Sequence, residues 1–240
     1  MKSTIKATVA ALAVSCAVNA FAAEEIIGFA SDRDEVVGWT PICIGIATPV
    51  QLPFGMNKWD VFGIDFNLLY SDAPKMYGID VGGLAAVTRN EMMGLQVAAL
   101  ANYAVEDVYG ARIALGVNIA NANVYGLEAS GFALRPDFVG LDIEFVGAYQ
   151  RNFCGLGVSG LANIATEKLS GVAIAGGCNI AKVAYGLHIA ALYNHAIELH
   201  GCQIGLVNYC SECVCGFQIG LVNFIMSNQV KVLPFVNGYF

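Results

Sequence analysis

The sequence predicts an all-β protein, an antiparallel transmembrane β-barrel of about 12–14 short-looped strands, on three observations. Glycines recur at positions 63, 78, 94, 110, 126, 140, 155, 171, 186, 201 and 216, a spacing of 14 to 16 residues that marks a tandem repeat. Units such as 93–104 and 109–120 contain no run of charges and end in short polar tips, among them TRNE (88–91), VED (105–107), NAN (121–123), RPD (135–137), QRN (150–152) and TEK (166–168). Counting alternate residues from each glycine separates a wholly apolar row from a mixed one, as strands do.

Those observations also fit an alternative, a parallel β-solenoid with 15-residue coils. In it Asn102, Asn118, Asn163, Asn179 and Asn194 stack as a ladder. Successive units do not alternate in type, which suits a solenoid because a barrel has distinct loops at its two ends, whereas a charged content of only 13% suits a lipid-facing barrel better than a water-facing solenoid.

Residues 1–22 have the form of a secretory signal peptide: Lys2 and Lys6, an apolar run, and a small-residue site at Ala20-Phe21-Ala22. A second reading makes Cys16 the acylated residue of a degenerate lipoprotein box. Removing Lys2 and Lys6 with the leader leaves ten basic and nineteen acidic residues, a net charge of −9. An exported chain this acidic lacks the clustered Lys and Arg that nucleic acid needs, so no nucleic-acid partner is expected.

Residues 23–38 read as an exposed, charged lead-in, and 39–240 as a single repeat-built β domain. Within 39–55 a first strand is expected, with Pro49 and Pro53 marking its end and the following turn. Past it the apolar row holds Leu95, Val97, Ala99, Ala101 and Tyr103 in one unit, and Ala111, Ile113, Leu115, Val117 and Ile119 in the next. Phe62, Tyr77, Tyr109, Tyr125 and Tyr185 precede glycines at one margin of this row, and Tyr103 and Tyr149 sit at the other. Aromatic rings bounding an apolar band are the expected membrane-interface girdles of a barrel. Eleven residues, tilted, rise on the order of 27 Å, which matches that band.

The mixed row carries Asp65, Asp80, Gln96, Arg112, Glu128, Asp142 and His188, each two residues after its glycine. In a barrel these line a lumen and bias ion passage. Arg112 stands among acids, and pairing with them would plug that lumen. Asn208 and Asn223 follow their glycines by seven residues where Asn102 and Asn118 follow by eight. These strands therefore change face unless a bulge absorbs the difference.

Seven cysteines remain after the leader, an odd number, so at least one stays unpaired or bridges chains. Cys210, Cys213 and Cys215 cluster at one tip and are the candidates for a disulfide. A zinc site would want four ligands, so no metal is expected. The sequence contains no GxSxG, HExxH or P-loop motif, so neither catalysis nor a cofactor is expected, and any small-molecule ligand is left unknown.

GLQVAALAN (94–102), GCQIGLVNY (201–209) and GFQIGLVNF (216–224), with the opening TPVQLPFG and VFGIDFNLLYSDAPKMYGIDVG, resemble the bacterial surface-repeat proteins first noted in leptospires, with tandem GLQIGLVN-type units. The resemblance covers about residues 39–240 and implies an exported envelope or surface protein without assigned catalytic residues. The C-terminal KVLPFVNGYF resembles the signal by which outer-membrane barrels are recruited to the barrel-assembly machinery, except that Gly238 stands where a hydrophobic residue is usual. The expected function is thus an outer-membrane surface or structural barrel, with a small pore in view, in contact with outer-membrane lipid. The alternative is a secreted or periplasmic solenoid that binds or interacts.

Overall fold

The computed structural model describes residues 36–54 and 58–239. The signal peptide expected over 1–22, most of the lead-in and Phe240 lie outside the described residues. Strands β1 (Gly38–Ala47), β2 (Val50–Leu52) and β3 (Trp59–Ala73) open the domain. Short strands follow in alternation: β4 (Met76–Gly82), β5 (Ala85–Thr88), β6 (Met92–Ala98), β7 (Ala101–Ala104), β8 (Val108–Ala114) and β9 (Val117–Ala120). Then come β10 (Val124–Ser159), β11 (Ala162–Ala175), β12 (Cys178–Ala190), β13 (Tyr193–Ile204), β14 (Val207–Ile225) and β15 (Val232–Tyr239).

Successive copies run in parallel. Gly94 pairs with Gly110 and Gly110 with Gly126, all in one parallel register. An antiparallel barrel would instead place Gly110 a strand length from both. The barrel expectation is therefore corrected to its alternative: the chain is a parallel β-solenoid. Parity alone could not decide, because side chains alternate between two faces whichever way the neighbouring strand runs.

Each coil has two sides. Strands β4, β6, β8 and the start of β10 stack on β3 as one sheet, while β5, β7 and β9 stack as a second. Between them the chain bends at a corner, for instance at residues 99–100, and returns through the polar tip. The eleven-residue unit is thus two short strands, which is why Tyr103 belongs to the opposite sheet from Leu95.

The glycine ladder is a packing requirement. Gly110 has φ of 141°, and a Cβ there would lie 2.0 Å from the carbonyl oxygen of Gly94. Only glycine tolerates both the backbone conformation and the approach.

The interior has two zones. Toward the tips, Met76, Met92, Val108, Val124, Phe138 and Phe153 stack against small residues such as Ala104 and Ala120 as a continuous apolar core. Toward the corner the interior is polar. Both ends of the stack are closed by reversed strands: β2 pairs antiparallel with β1, and β15 antiparallel with β14. The strand and turn expected within 39–55 correspond to β1 and the β1–β2 turn.

Candidate functional site: a buried polar ladder beneath an apolar surface

Asp65, Asp80, Gln96, Arg112, Glu128, Asp142 and His188 all point into the coils, and none is more than 2% exposed. They stack one per coil, Asp80 on Asp65, Gln96 on Asp80, Arg112 on Gln96 and Glu128 on Arg112. The row expected to line a lumen is packed inside the solenoid, where Gln96 pairs with Asp80 and Arg112 with Glu128, while Gln96 Oε1, Arg112 Nε and His188 Nε2 have no hydrogen-bond partner among the described residues. Ser71 Oγ and Gln96 Nε2 donate to Asp80, and Asn67 Nδ2 donates to Asp65 at 2.6 Å. Burial, reinforced by the charge of Asp80, pushes the Asp65 carboxyl up to about 8. Burial also lifts Asp80 to about 6 against those two hydrogen bonds.

The middle coils hold a charge cluster. Arg112 donates to Glu128, and Arg135 donates to both Glu128 and Asp142. Arg135 also donates through Nε to Gln150 Oε1 at 3.2 Å and lies 4.0 Å over the Phe138 ring. Ser130 Oγ donates to Glu144 Oε2, which leaves Glu144 Oε1 and Asp142 Oδ1 buried without partners among the heavy atoms. Burial and then the Asp142 charge push Glu144 up to about 9. Its retained proton, donated toward Asp142, satisfies both orphaned oxygens. Burial raises Asp142 as well, so the Asp142–Glu144 pair holds on to a proton beside the two guanidiniums.

Glu128, Asp142 and Glu144 bring carboxylate oxygens within 4.8 Å of one another, a set that could hold a metal ion. The Arg135 guanidinium already supplies the cation there. His188 is likewise interior, between Ala173 and Gln203, and burial lowers its pKa to about 4, so it is neutral near pH 7.

Beside this row runs the asparagine ladder. Asn102 donates to Asn118 at 3.0 Å and, after an interruption at Ala133 and Ala148, Asn163 donates to Asn179, Asn179 to Asn194, Asn194 to Asn208 and Asn208 to Asn223 at 2.8 to 3.0 Å. Each of Asn163, Asn179, Asn194 and Asn208 also donates to a neighbouring backbone carbonyl.

No family model, curated protein or solved structure matches the chain.

The outer surface reverses the usual arrangement. Ile64, Ile79, Ile113, Ile143, Leu156 and Ile219, all one or three residues after a ladder glycine, are exposed on the first sheet. Phe62, Tyr77, Tyr109, Tyr125 and Tyr185 stand beside this row next to the tips; Phe62 stacks on Tyr77 at 4.8 Å and Tyr109 on Tyr125 at 5.1 Å. Tyr103 and Tyr149 lie on the second sheet, also toward the tips. The tyrosine hydroxyls reach polar tip groups, since Tyr77 donates to Glu91 at 2.6 Å and Asn121 Nδ2 donates to the Tyr103 oxygen at 2.6 Å. At the corner a ridge of leucines stands proud, with Leu100 59% and Leu115 83% exposed, and Phe145 joins it at 83%.

Alternation from the glycine places Leu100 inside, and the bend at residues 99–100 puts it outside. Arg135 and Gln150 were expected on exposed tips but are buried. They stand five residues before a glycine, where Ala181 and Ala196 point inward in other coils. Glu144 shares the parity of Asp142, the signal that could have placed it inside.

The described cysteines are free thiols. Of the three disulfide candidates, Cys210 and Cys213 are buried and in contact across the tip end of one coil, whereas Cys215 is exposed on the outer face.

Proposed function

We propose that this chain is an exported β-solenoid of the bacterial envelope that acts by contact through its outer surface, without catalysis or a cofactor. The observation that carries the reading is the inversion of side-chain chemistry. The polar residues two after the ladder glycines lie inside, while the outward positions one and three after those glycines hold only Ile, Leu, Val, Phe, Ala and Cys. Scattered exposed apolar residues are ordinary, but one row continuous through successive coils marks an interaction surface. Export is supported by the leader-like N-terminus, the acidic composition and the resemblance to leptospiral surface repeats. A solenoid gives the barrel-assembly machinery nothing to close, so that partner is not part of the proposal.

The test is the state of the full chain in buffer free of lipid and detergent. The reading expects self-association and binding of the hydrophobic probe anilinonaphthalene sulfonate, both reduced by Ile113→Glu with Ile143→Glu. A monomer that binds no probe overturns it.

A further inference from the structure

We infer that the leucine-bearing corner of the solenoid is a lipid-docking edge, which enters the hydrocarbon of one leaflet and leaves the charged tips in water. This rests on the contact function proposed above and names the partner. Four features of the fold support it.

The first is the distribution of charge around the solenoid axis. The corner ridge carries Leu84, Leu100, Leu115, Phe145, Leu161 and Leu192, all exposed. On the first sheet, the positions one and three residues after each ladder glycine hold no Asp, Glu, Lys or Arg in any coil from Ile64 to Ile219. Charges gather at the opposite edge, in tips such as Glu106, Asp107, Arg151, Glu167 and Lys168. A partner complementary to the ridge is itself uncharged and apolar, and the tips suit water or headgroups.

The second is the backbone. A chain can enter hydrocarbon only if its peptide groups are already paired. The corner turns meet this condition from coil to coil. Leu100 N donates to Leu84 O at 2.8 Å, Val117 N to Leu100 O at 2.8 Å, Leu161 N to Val146 O at 2.8 Å and Val207 N to Leu192 O at 3.0 Å.

The third is the pair of aromatic margins. Rings with an apolar body and a polar end collect at the membrane–water boundary. Here Tyr77, Tyr109, Tyr125 and Tyr185 flank one sheet and Tyr149 the other, each between the apolar rows and the tips, whereas Tyr103 is buried. The hydroxyl of Tyr77 is tied to a tip carboxylate.

The fourth is depth. From Tyr109 to Leu115 the strand advances six residues, on the order of 20 Å. Half of a bilayer's hydrocarbon is about 15 Å, so with the tyrosines at the boundary and the strands inclined by roughly 40° the ridge reaches the full depth of one leaflet.

The experiment is flotation of the full chain with phosphatidylcholine vesicles, at low salt and again at high salt, alongside light-scattering chromatography without lipid. The variant Leu100→Lys/Leu115→Lys/Leu192→Lys changes only exposed side chains, and its circular dichroism should match the unaltered chain. Glu106→Lys, at an exposed tip, is the control.

Expected is co-flotation that survives high salt, because no ion pair holds the edge, a fall of about tenfold or more in partitioning for the triple variant, and none for the control. A triple variant that floats like the unaltered chain overturns the inference. So does an unaltered chain that stays out of the vesicle fraction, and the chromatography then separates two cases. Self-association relieved by the ridge lysines means that the apolar surface meets protein, so the contact function stands and the lipid edge falls. A monomer in both assays removes both.

Discussion

Asn194 donates from Nδ2 to Oδ1 of Asn208 at 2.8 Å, although Asn194 follows its glycine by eight residues and Asn208 follows its own by seven. The missing residue is taken from the corner. Two residues, 191 and 192, separate Ala190 from Tyr193, but Leu206 alone separates Gly205 from Val207. The strands do not change face, and Gly205 makes the tighter corner feasible. A Cβ there would lie 2.5 Å from Ala190 O and 2.9 Å from Asn194 Nδ2.

Asn194→Ala should break the ladder at that rung. Asn208 Oδ1 and Ile204 O would each lose the donor that Asn194 supplies, and unsatisfied buried groups cost about 1–3 kcal/mol apiece. Chemical denaturation should show a loss of roughly 2–4 kcal/mol, with hydrogen exchange rising first in β13 and β14.

Arg135→Met should be among the most damaging single changes. It leaves Glu128 and Asp142 facing each other and Glu144 without their shared cation, and removing one side of a buried ion pair costs about 3–5 kcal/mol. Arg151, whose pair with Asp137 is exposed, serves as the comparison, and Arg151→Ala should leave the denaturation midpoint unmoved.

Stability should fall as pH rises from 7 to 9. Asp65 and Glu144 have folded values of about 8 and about 9, above those of an unfolded carboxyl. Their stabilisation is complete below the unfolded value and is lost as pH rises through the folded one. His188, lowered to about 4, acts in the other direction, its contribution being lost as pH falls from about 6.5 toward 4. Measuring above pH 6.5 therefore isolates the carboxyls. Glu144→Gln, which mimics the neutral acid, should flatten the slope, read as the urea midpoint against pH.

Maleimide labelling of the folded chain should divide the thiols. Cys154 and Cys215 are exposed and should label quickly, whereas Cys43, Cys210 and Cys213 are buried and should label only after denaturation. Mass spectrometry of the peptides distinguishes the two groups, and rapid labelling of Cys213 in the folded chain would contradict its placement.

Much of this architecture was legible in the residues themselves. The glycine period marks the coil, parity from Gly94 puts Gln96 inside and Leu95 outside, and the asparagines announce their own stack. What could not be read was the direction of successive copies. Ile113 alternates with Arg112 and Ala114 in either polarity, and only the pairing of Gly94 with Gly110 and Gly126 decides it. The corner was hidden because Leu100 looks like one more strand residue until the chain bends. Arg135 and Gln150 were assigned by type, as polar tip residues, when position would have turned them inward with Ala181 and Ala196. The tyrosines have the spacing of barrel girdles, and the structure instead sets Tyr77, Tyr109, Tyr125 and Tyr185 along the first sheet and Tyr149 on the second, with Tyr103 buried.

The reversed strands at the two ends also decide how many molecules make one object. A stack of identical-handed rungs is otherwise a seed, ready to recruit the next chain and lengthen into a fibre. Here the last rung, β15, runs against the others and carries Pro234, which has no amide hydrogen to offer. Axial pairing is blunted at that edge, so association through the sides of the solenoid is the expected route to any larger array.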